Sequence, residues 1–529
     1  MNFNKMKILT IVTCLVALPT TIMLSLIYQN NIEGSATDKG GKVQDVSHFF
    51  IGSEQDSSDS DELLGGLLAS GFDEESCLSR YQSVLYRKTS PHKPSPYLLS
   101  KLRNYETLHR RCGPYTKSYN RTLKVLNSRN IQNYEECNYV VWTGLRGLGN
   151  RILSMASAFL YALLTNKILL VQHEKDMSDL FCEPFLNTSW LLPQDFPLKN
   201  QFQRFNYTYG SKLRDNMHMI NGSVPSFLNL NLSSASDDYD KLFYCDEHQL
   251  FLEKVPWLIL KSDLYFIPSL FLIPNFEQEL GKMFPDKESV FHHLGRYLFS
   301  PSNKSWGLIT RFYQAYLSKA DERIGMQIRI FNPEAVPFPV VTDQILACTQ
   351  KQNVLPEVDK HKLVTFSPRK NQTSSKAILI ASLHSEFYET IRKLYWKYPT
   401  TKGEVIGVYQ PTFEKHQHFG ENLHNLKAWA EINLLSMSDV LVTSTWSTFG
   451  YVAQGLRGLK PWILFRPASW KNPYPTCQQA MSTEPCLHRP PTFECKAKLN
   501  ADMGSVLPYV QHCEKPVVSG IKLVNNYNI

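Results

Sequence analysis

Residues Tyr139–Val171 read YVVWTGLRGLGNRILSMASAFLYALLTNKILLV, and the parsing of this stretch decides the fold. YVVWT is a run of β-branched and aromatic residues that reads as a strand, GLRGLGNR as a turn, SMASAFLYALLT as a helix and KILLVQ as a second strand. A strand, a helix and a second strand in close succession form a β-loop-α-β unit, whose two strands run parallel. Glycines at 144, 147 and 149 permit left-handed dihedrals and close backbone approach, and the helix that follows offers free N–H groups to an anion. The spacing G-x-x-G-x-G is not the dinucleotide fingerprint, and the Lys-Ser/Thr of a P-loop is missing. The local pattern therefore leaves two readings, a phosphate cradle or a plain turn, with Asn150 and Arg151 placing an amide and a cation at its mouth.

A second alternating series fills the last third of the chain. RIGMQIRIF (323–331), AILIAS from 377, EVIGVY from 404, DVLVTS from 439 and PWILF from 461 read as strands. Helices are predicted through HSEFYETIRKLYWKY, from Leu423 to Met437, and from Thr448. Strands alternating with helices imply an α/β fold with parallel sheets, and two such regions imply two Rossmann-type lobes. Open α/β sheets bind ligands at strand C-terminal ends, which places a ligand in the cleft between the lobes.

Two motifs of the second series carry candidate chemistry. Arg329 interrupts an apolar strand, and a charge there is costly unless it forms a structural ion pair or faces a ligand. A guanidinium suits bidentate contact with a pyrophosphate and would stabilise charge building on a leaving phosphate. In VLVTSTWSTFGYVAQGLRG a strand ends in hydroxyl residues that open a helix. Ser444, Thr445, Ser447 and Thr448 supply caps and donors suited to phosphates, and Trp446 and Phe449 are rings for packing on a sugar or base. N-capping alone accounts for one or two of the four hydroxyls.

Length and composition bound the rest. At 529 residues the chain is expected to hold two or three domains; 43% hydrophobic and 20% charged residues exclude a polytopic membrane protein and a mostly disordered one. The net charge of +8, with no basic run, falls short of a nucleic-acid footprint. Lys5 and Lys7 precede the uncharged ILTIVTCLVALPTTIMLSLIY (8–28), long enough to cross a bilayer once with the N-terminus cytoplasmic; a cleaved signal peptide is the rival reading. Sequons at Asn120, Asn187, Asn206, Asn221, Asn231, Asn303 and Asn371 all follow that run, as expected of a lumenal chain. Of the 11 cysteines, Cys14 lies inside the apolar run, and an even number remains for disulfides in an oxidising compartment. Cys477, Cys486, Cys495 and Cys513 are expected to staple a loop-rich end. Residues 29–75, acidic and serine-rich, read as a flexible stem, with LLGGLLASGF inside it either a small docking element or a solvated linker.

A metal-dependent transferase would want an Asp-x-Asp pair. Asp59/Asp61 falls in the stem and Asp238/Asp240 in a loop, so neither reads as a metal site, and no Cys/His pair has zinc spacing. Asp263, a lone carboxylate at the end of the apolar WLILKSDLYF, is either a helix cap or a cleft-facing general base. His292/His293 and His416/His418 lack third ligands at familiar spacings and read as structural or surface residues.

Together GLGNRILSMASAFLYALLT, DMSDLFCEPFL, VPWLILKSDLYFIPSL, HHLGRYLF, IGMQIRIF and TSTWSTFGYVAQGLRGLKPWIL resemble the plant xyloglucan (galactoside) alpha-1,2-fucosyltransferase family, from about Leu63 to near the C-terminus. The resemblance implies a GT-B-like fold on a single-pass type II Golgi protein: tail 1–7, anchor 8–28, stem 29–75, acceptor-side lobe 76–310, and GDP-fucose-binding lobe with a Cys-rich end 311–529. It implies an inverting transfer from GDP-fucose to a galactose-terminated glycan without a metal or other cofactor. Arg329 matches the pyrophosphate-contacting arginine and Ser444 to Phe449 the donor-binding loop, with Gly147, Gly149, Asn150 and Arg151 as the facing wall. Asp263 matches an aspartate on the acceptor side. Related fucosyltransferases outside plants carry His-x-Arg-Arg where Gln327 to Ile330 stand here, which leaves charge neutralisation on Arg329 and the helix N-termini. Leu145-Arg146 departs from the small serine-containing sequence of xyloglucan-specific members, so arabinogalactan protein glycans stand as the alternative acceptor. Another sugar-nucleotide transferase, a non-catalytic Golgi glycan-binding protein, and a homodimer or complex with other Golgi transferases remain open.

Overall fold

The computed structural model describes residues 62–126, 137–172, 174–199, 202, 224–233, 240–364, 374–467, 471–491, 495, 502–514 and 520–525. All belong to one compact unit. The tail, the anchor 8–28, Asp59/Asp61, Asp238 and the sequons at Asn206, Asn221 and Asn371 lie outside the described residues. Among the described residues no helix is long and apolar enough to cross a membrane.

The glycine-containing stretch folds as its pattern predicts. Strand β1 (Tyr139–Gly144) leads through a three-residue turn into helix α1 (Leu148–Leu164), and β2 (Ile168–Val171) returns parallel to β1. On the other side β1 pairs in parallel with β4 (Trp257–Ser262), which pairs with β3 (Phe227–Asn231), giving the order β2-β1-β4-β3. Tyr139 through Trp142 are fully buried, as a central parallel strand covered on both faces requires. The same covering explains why α1 is apolar almost all round: it lies between this sheet, the helix α2 (Val290–Leu298) and a helix of the second lobe.

The second sheet runs β10-β9-β8-β5-β6-β7. Its parallel strands are β5 (Glu322–Ile328), β6 (Ser375–Ser382), β7 (Val405–Tyr409), β8 (Val440–Ser444) and β9 (Trp462–Leu464); β10 (Cys477–Gln479) closes it antiparallel. Between them run α3 (Ser385–Lys397), α4 (Asn422–Ser436) and α5 (Thr448–Arg457), close to the predicted bounds. This is the two-lobed α/β fold that the alternating pattern implies, and it is GT-B-like as the family resemblance implies. The lobes share a core, because Trp429 and Leu434 of α4 and Tyr451 and Leu456 of α5 join one apolar cluster with Ile152 and Phe159 of α1.

Three expectations need correction. LLGGLLASGF is neither solvated nor part of a free stem: Leu64, Leu67 and Leu68 are buried in the main core, so the folded body begins before residue 75. The late cysteines do not staple one another as a group. Cys486 bonds Cys513, but Cys477 reaches back to Cys348 and Cys495 to Cys245; Cys77–Cys182 and Cys112–Cys137 complete the described pairs. The span 311–529 does not stay with the second lobe, because its end crosses back to the first. Leu487, Val510, Ile521 and Leu523 enter the core that holds α2, and the buried Glu484 accepts hydrogen bonds from Tyr265 Oη and from Phe291 N (2.8 Å). Strands β11 (Val510–His512) and β12 (Ile521–Leu523) pair antiparallel there.

Candidate functional site

Two strand-turn-helix units meet at the cleft, one from each lobe. In the first, β1 ends at Gly144, Arg146 takes a left-handed φ of 64°, and Gly147 is the N-cap of α1, with no side chain capping the helix. In the second, β8 ends at Ser444, Trp446 takes the same φ of 64°, and Ser447 is the N-cap of α5, again without a side-chain cap. Left-handed backbone is uncommon for a non-glycine residue and costly for a bulky one. Both turns thus hold a strained residue beside an open helix N-terminus.

The two N-termini are packed together. A Cβ on Gly149 would lie 2.8 Å from Thr448 Oγ1 and 3.0 Å from Phe449 N, so only glycine allows this approach. At Gly147 a Cβ would come within 2.5 Å of Gln417 Nε2. Asn150 locks the junction: its Oδ1 accepts from Thr448 Oγ1 (3.1 Å) and its Nδ2 donates to the Asp263 carbonyl (3.0 Å). Each N-terminus carries roughly half a positive charge. Side by side and uncapped, they repel unless an anion sits between them.

Arg329 stands where that anion would be met. It follows the last residue of β5, and its backbone N–H donates to Ser444 Oγ (2.9 Å), which holds the two strand ends in register. Its guanidinium has no carboxylate partner among the described residues, and burial lowers its pKa from the usual arginine value. A partly buried, unpaired cation is expensive unless a ligand supplies the counter-charge.

The cavity between the units measures about 440 Å³. Gly147, Gly149, Asn150, Arg329, Trp446, Ser447, Thr448 and Phe449, all candidates from the sequence, line it. Two clusters around it differ in chemistry. At one, Glu414 and Glu431 stand with Lys427 and His424; Glu431 is buried, accepts from Thr412 Oγ1 (2.7 Å), and is pushed up to about 7 by burial. At the other, Phe331 and Trp446 expose 46% and 39% of their surface, and His488 lies 6.0 Å from Trp446, ring centre to ring centre. Arg466 at the end of β9 sits near both rings, 5.7 Å from the centre of Phe331 and 5.9 Å from that of Trp446.

Three sequence candidates are placed elsewhere. Arg151 does not line the cavity. Its guanidinium is buried against Asp176 (3.0 and 2.7 Å) and reaches Glu174 (3.4 Å). Burial pushes the Asp176 carboxyl up, but hydrogen bonds from Arg151 and Asn425 outweigh it and hold the group below the ordinary aspartate range. Asp263 is only 2% exposed and its carboxylate accepts from Arg146 Nε, so it meets the cleft through Arg146, which lines it. The Ser444 hydroxyl is taken up by Arg329 N and the Gln327 carbonyl (3.3 Å) and lines a small side cavity with Arg329 and Arg466.

Among the described residues no group of three His, Cys, Asp or Glu could hold a metal ion. His292 is buried between Ser90 Oγ and the Gly455 carbonyl, and His418 lies near Glu414 and Glu421, as structural readings expect. Sequence reasoning missed Glu431, Arg466 and His488. Their neighbours in space come from distant elements, and no local spacing marks them.

A sequence model of the family described as Xyloglucan fucosyltransferase matches residues 39–496. The chain is 53% identical over 519 residues to a galactoside 2-alpha-L-fucosyltransferase of Arabidopsis thaliana, covering 97% of this chain and 92% of the relative. It is 55% identical over 469 residues to a galactoside 2-alpha-L-fucosyltransferase of Pisum sativum, covering 88% and 82%. A solved structure of an Arabidopsis thaliana FUT1 mutant in complex with GDP is similar at a TM-score of 0.82 and 56% identity, over 88% of this chain and 100% of that one.

Proposed function

This chain belongs to the xyloglucan fucosyltransferase family, and on that premise we propose that it moves L-fucose from GDP-fucose to the 2-hydroxyl of a terminal galactose on xyloglucan, forming an alpha-1,2 link. The observation that carries the reading is Arg329, a cation with no carboxylate partner among the described residues, beside two uncapped helix N-termini that the glycine at 149 brings into contact. The diphosphate of the donor supplies the missing counter-charge. The relative whose solved structure is so similar was obtained in complex with GDP.

The chemistry asked of the site is modest. As the bond from C1 of fucose to the phosphate oxygen breaks, its electron pair leaves on GDP, and the acceptor oxygen bonds C1 from the opposite face. Donors already in place around the diphosphate stabilise that growing charge without reorganisation. Arg329 and the N–H groups at Thr448 and Phe449 fill this role, which makes the transfer metal-independent. The acceptor proton departs late, to water or to an oxygen of the departing GDP, so the reaction does not need Asp263 as a strong base. Asp263 acts instead as a positioning residue through Arg146.

One observation favours a second acceptor class, arabinogalactan protein glycans. Arg146, which departs from the xyloglucan-specific pattern, lines the cleft itself. The five described disulfides fit an oxidising lumen, and residues 8–28 would anchor the protein in the Golgi membrane. Sequons at Asn120 and Asn187 are exposed, whereas the Asn303 amide is engaged by the Glu75 carbonyl and Leu78 N.

The test is to incubate the protein with GDP-fucose and EDTA together with galactose-terminated xyloglucan or arabinogalactan oligosaccharides. We expect alpha-1,2-fucosylated product despite the chelator, and faster transfer to xyloglucan. Strict dependence on a divalent ion, or preference for a UDP-sugar, contradicts the reading.

A further inference from the structure

The disulfide-stapled C-terminal segment delivers one side chain to the cleft, and its surroundings fix what it offers. His488 follows Cys486, bonded to Cys513, and Leu487, whose N–H and carbonyl both pair with Ile521 (2.8 and 3.0 Å). Its ring lines the cavity beside Trp446. Nε2 lies 3.0 Å from the hydroxyl of Tyr451, a buried phenol one turn into α5. Burial pushes that phenol up, so it keeps its proton. With no other acceptor for it among the described residues, the phenol proton goes to Nε2, and a neutral imidazole then carries its own proton on Nδ1. Burial, with Lys522 and Arg489 nearby, lowers the ring to about 4 and keeps it neutral under ordinary conditions. Nδ1 has no partner among the described residues and keeps some solvent exposure.

The grouping of the residues around the cleft says which ligand that donor meets. A series of contacts links Arg329 through Phe331 (5.5 Å) and Arg466 to Trp446 and His488. The carboxylates Glu414 and Glu431 lie in a separate cluster with Lys427 and Thr412. With the diphosphate at Arg329, the guanine edge, rich in N–H donors, suits the carboxylate cluster. The sugar and the acceptor are then left with the aromatic cluster. We propose that the acceptor galactose is seated against Trp446 and His488, with His488 Nδ1–H donating to a sugar oxygen and Tyr451 fixing the tautomer.

This rests on the fucosyl-transfer reading above, so the test separates the two. Acceptor KM, and GDP affinity by calorimetry, are measured for the wild type, His488→Gln, His488→Asn and Tyr451→Phe, with melting of each protein as a folding control. Glutamine reaches the Nε2 position and asparagine the Nδ1 position. His488→Gln should raise acceptor KM about tenfold, the loss expected for one hydrogen bond, while the Kd for GDP stays within twofold. His488→Asn should recover most of that loss, and Tyr451→Phe should raise acceptor KM a few-fold. An unchanged acceptor KM in His488→Gln, or an effect falling on GDP affinity, overturns the proposal. If His488→Gln fails to fold, Tyr451→Phe decides by the same two readouts. A wild-type protein that neither binds GDP nor transfers fucose overturns the earlier reading instead.

Discussion

The two strand-turn-helix units are built alike but differ in whether their side chains already have partners. Each has a three-residue turn with a left-handed residue at its centre, Arg146 or Trp446, and an N-cap without a capping side chain. In the first unit the polar side chains are consumed by the protein: Arg146 by Asp263, Asn150 by Asp263 and Thr448, Arg151 by Asp176 and Glu174. In the second, Trp446 is exposed to the cleft and Arg329, held against Ser444, keeps its guanidinium without a carboxylate partner among the described residues. A helix N-terminus with glycines is therefore not a donor site by itself. What separates scaffold from ligand-holder is whether neighbouring side chains already have partners.

The comparison can be broken at graded cost. The largest effect is expected on the proposed donor-holding side: Arg329→Ala should slow transfer about a thousandfold, roughly 4 kcal/mol, with little change in melting. On the scaffold side Asp176→Asn should lower folding stability by about 3 kcal/mol in denaturant titrations, because it strips the main partner from the buried Arg151. Replacing Arg151 and Asp176 together by leucine-sized apolar residues should recover much of that loss, whereas a donor-binding role for Arg151 would leave the double variant folded but unable to bind GDP. Gly149→Ala forces a Cβ to 2.9 Å from the Thr448 carbonyl carbon and should cost about 1–3 kcal/mol of stability, read by thermal melting. Thr448→Val removes the hydroxyl that bridges to Asn150 and should weaken the junction by about 1 kcal/mol, read as a small fall in melting temperature.

Much of this was legible in the sequence, for reasons that are local. The strands at 139, 323, 440 and 461 are apolar runs bounded by turns, and a central parallel strand has no other way to look. Gly149 and the hydroxyl-rich turn after β8 announce close approach and an open helix end within a few residues. What stayed hidden depends on distant partners. Arg151 looks the same beside a phosphate as beside Asp176, 25 residues away. Cys477 gives no sign that its partner is Cys348 at a separation of 129 rather than a neighbour. LLGGLL follows an acidic, serine-rich run and takes that run's character, yet its leucines complete the core. Asp263 does end an apolar strand as expected, but only the fold shows Arg146 lying over its carboxylate.

The central claim is that the donor's diphosphate is held by Arg329 and the second unit while the first unit serves as wall and scaffold. Calorimetric titration of GDP into the Arg329→Ala protein, in EDTA and beside the wild type, tests it most directly. The account predicts a Kd weakened at least a hundredfold with the unliganded melting temperature preserved. A Kd within twofold of the wild type would contradict it.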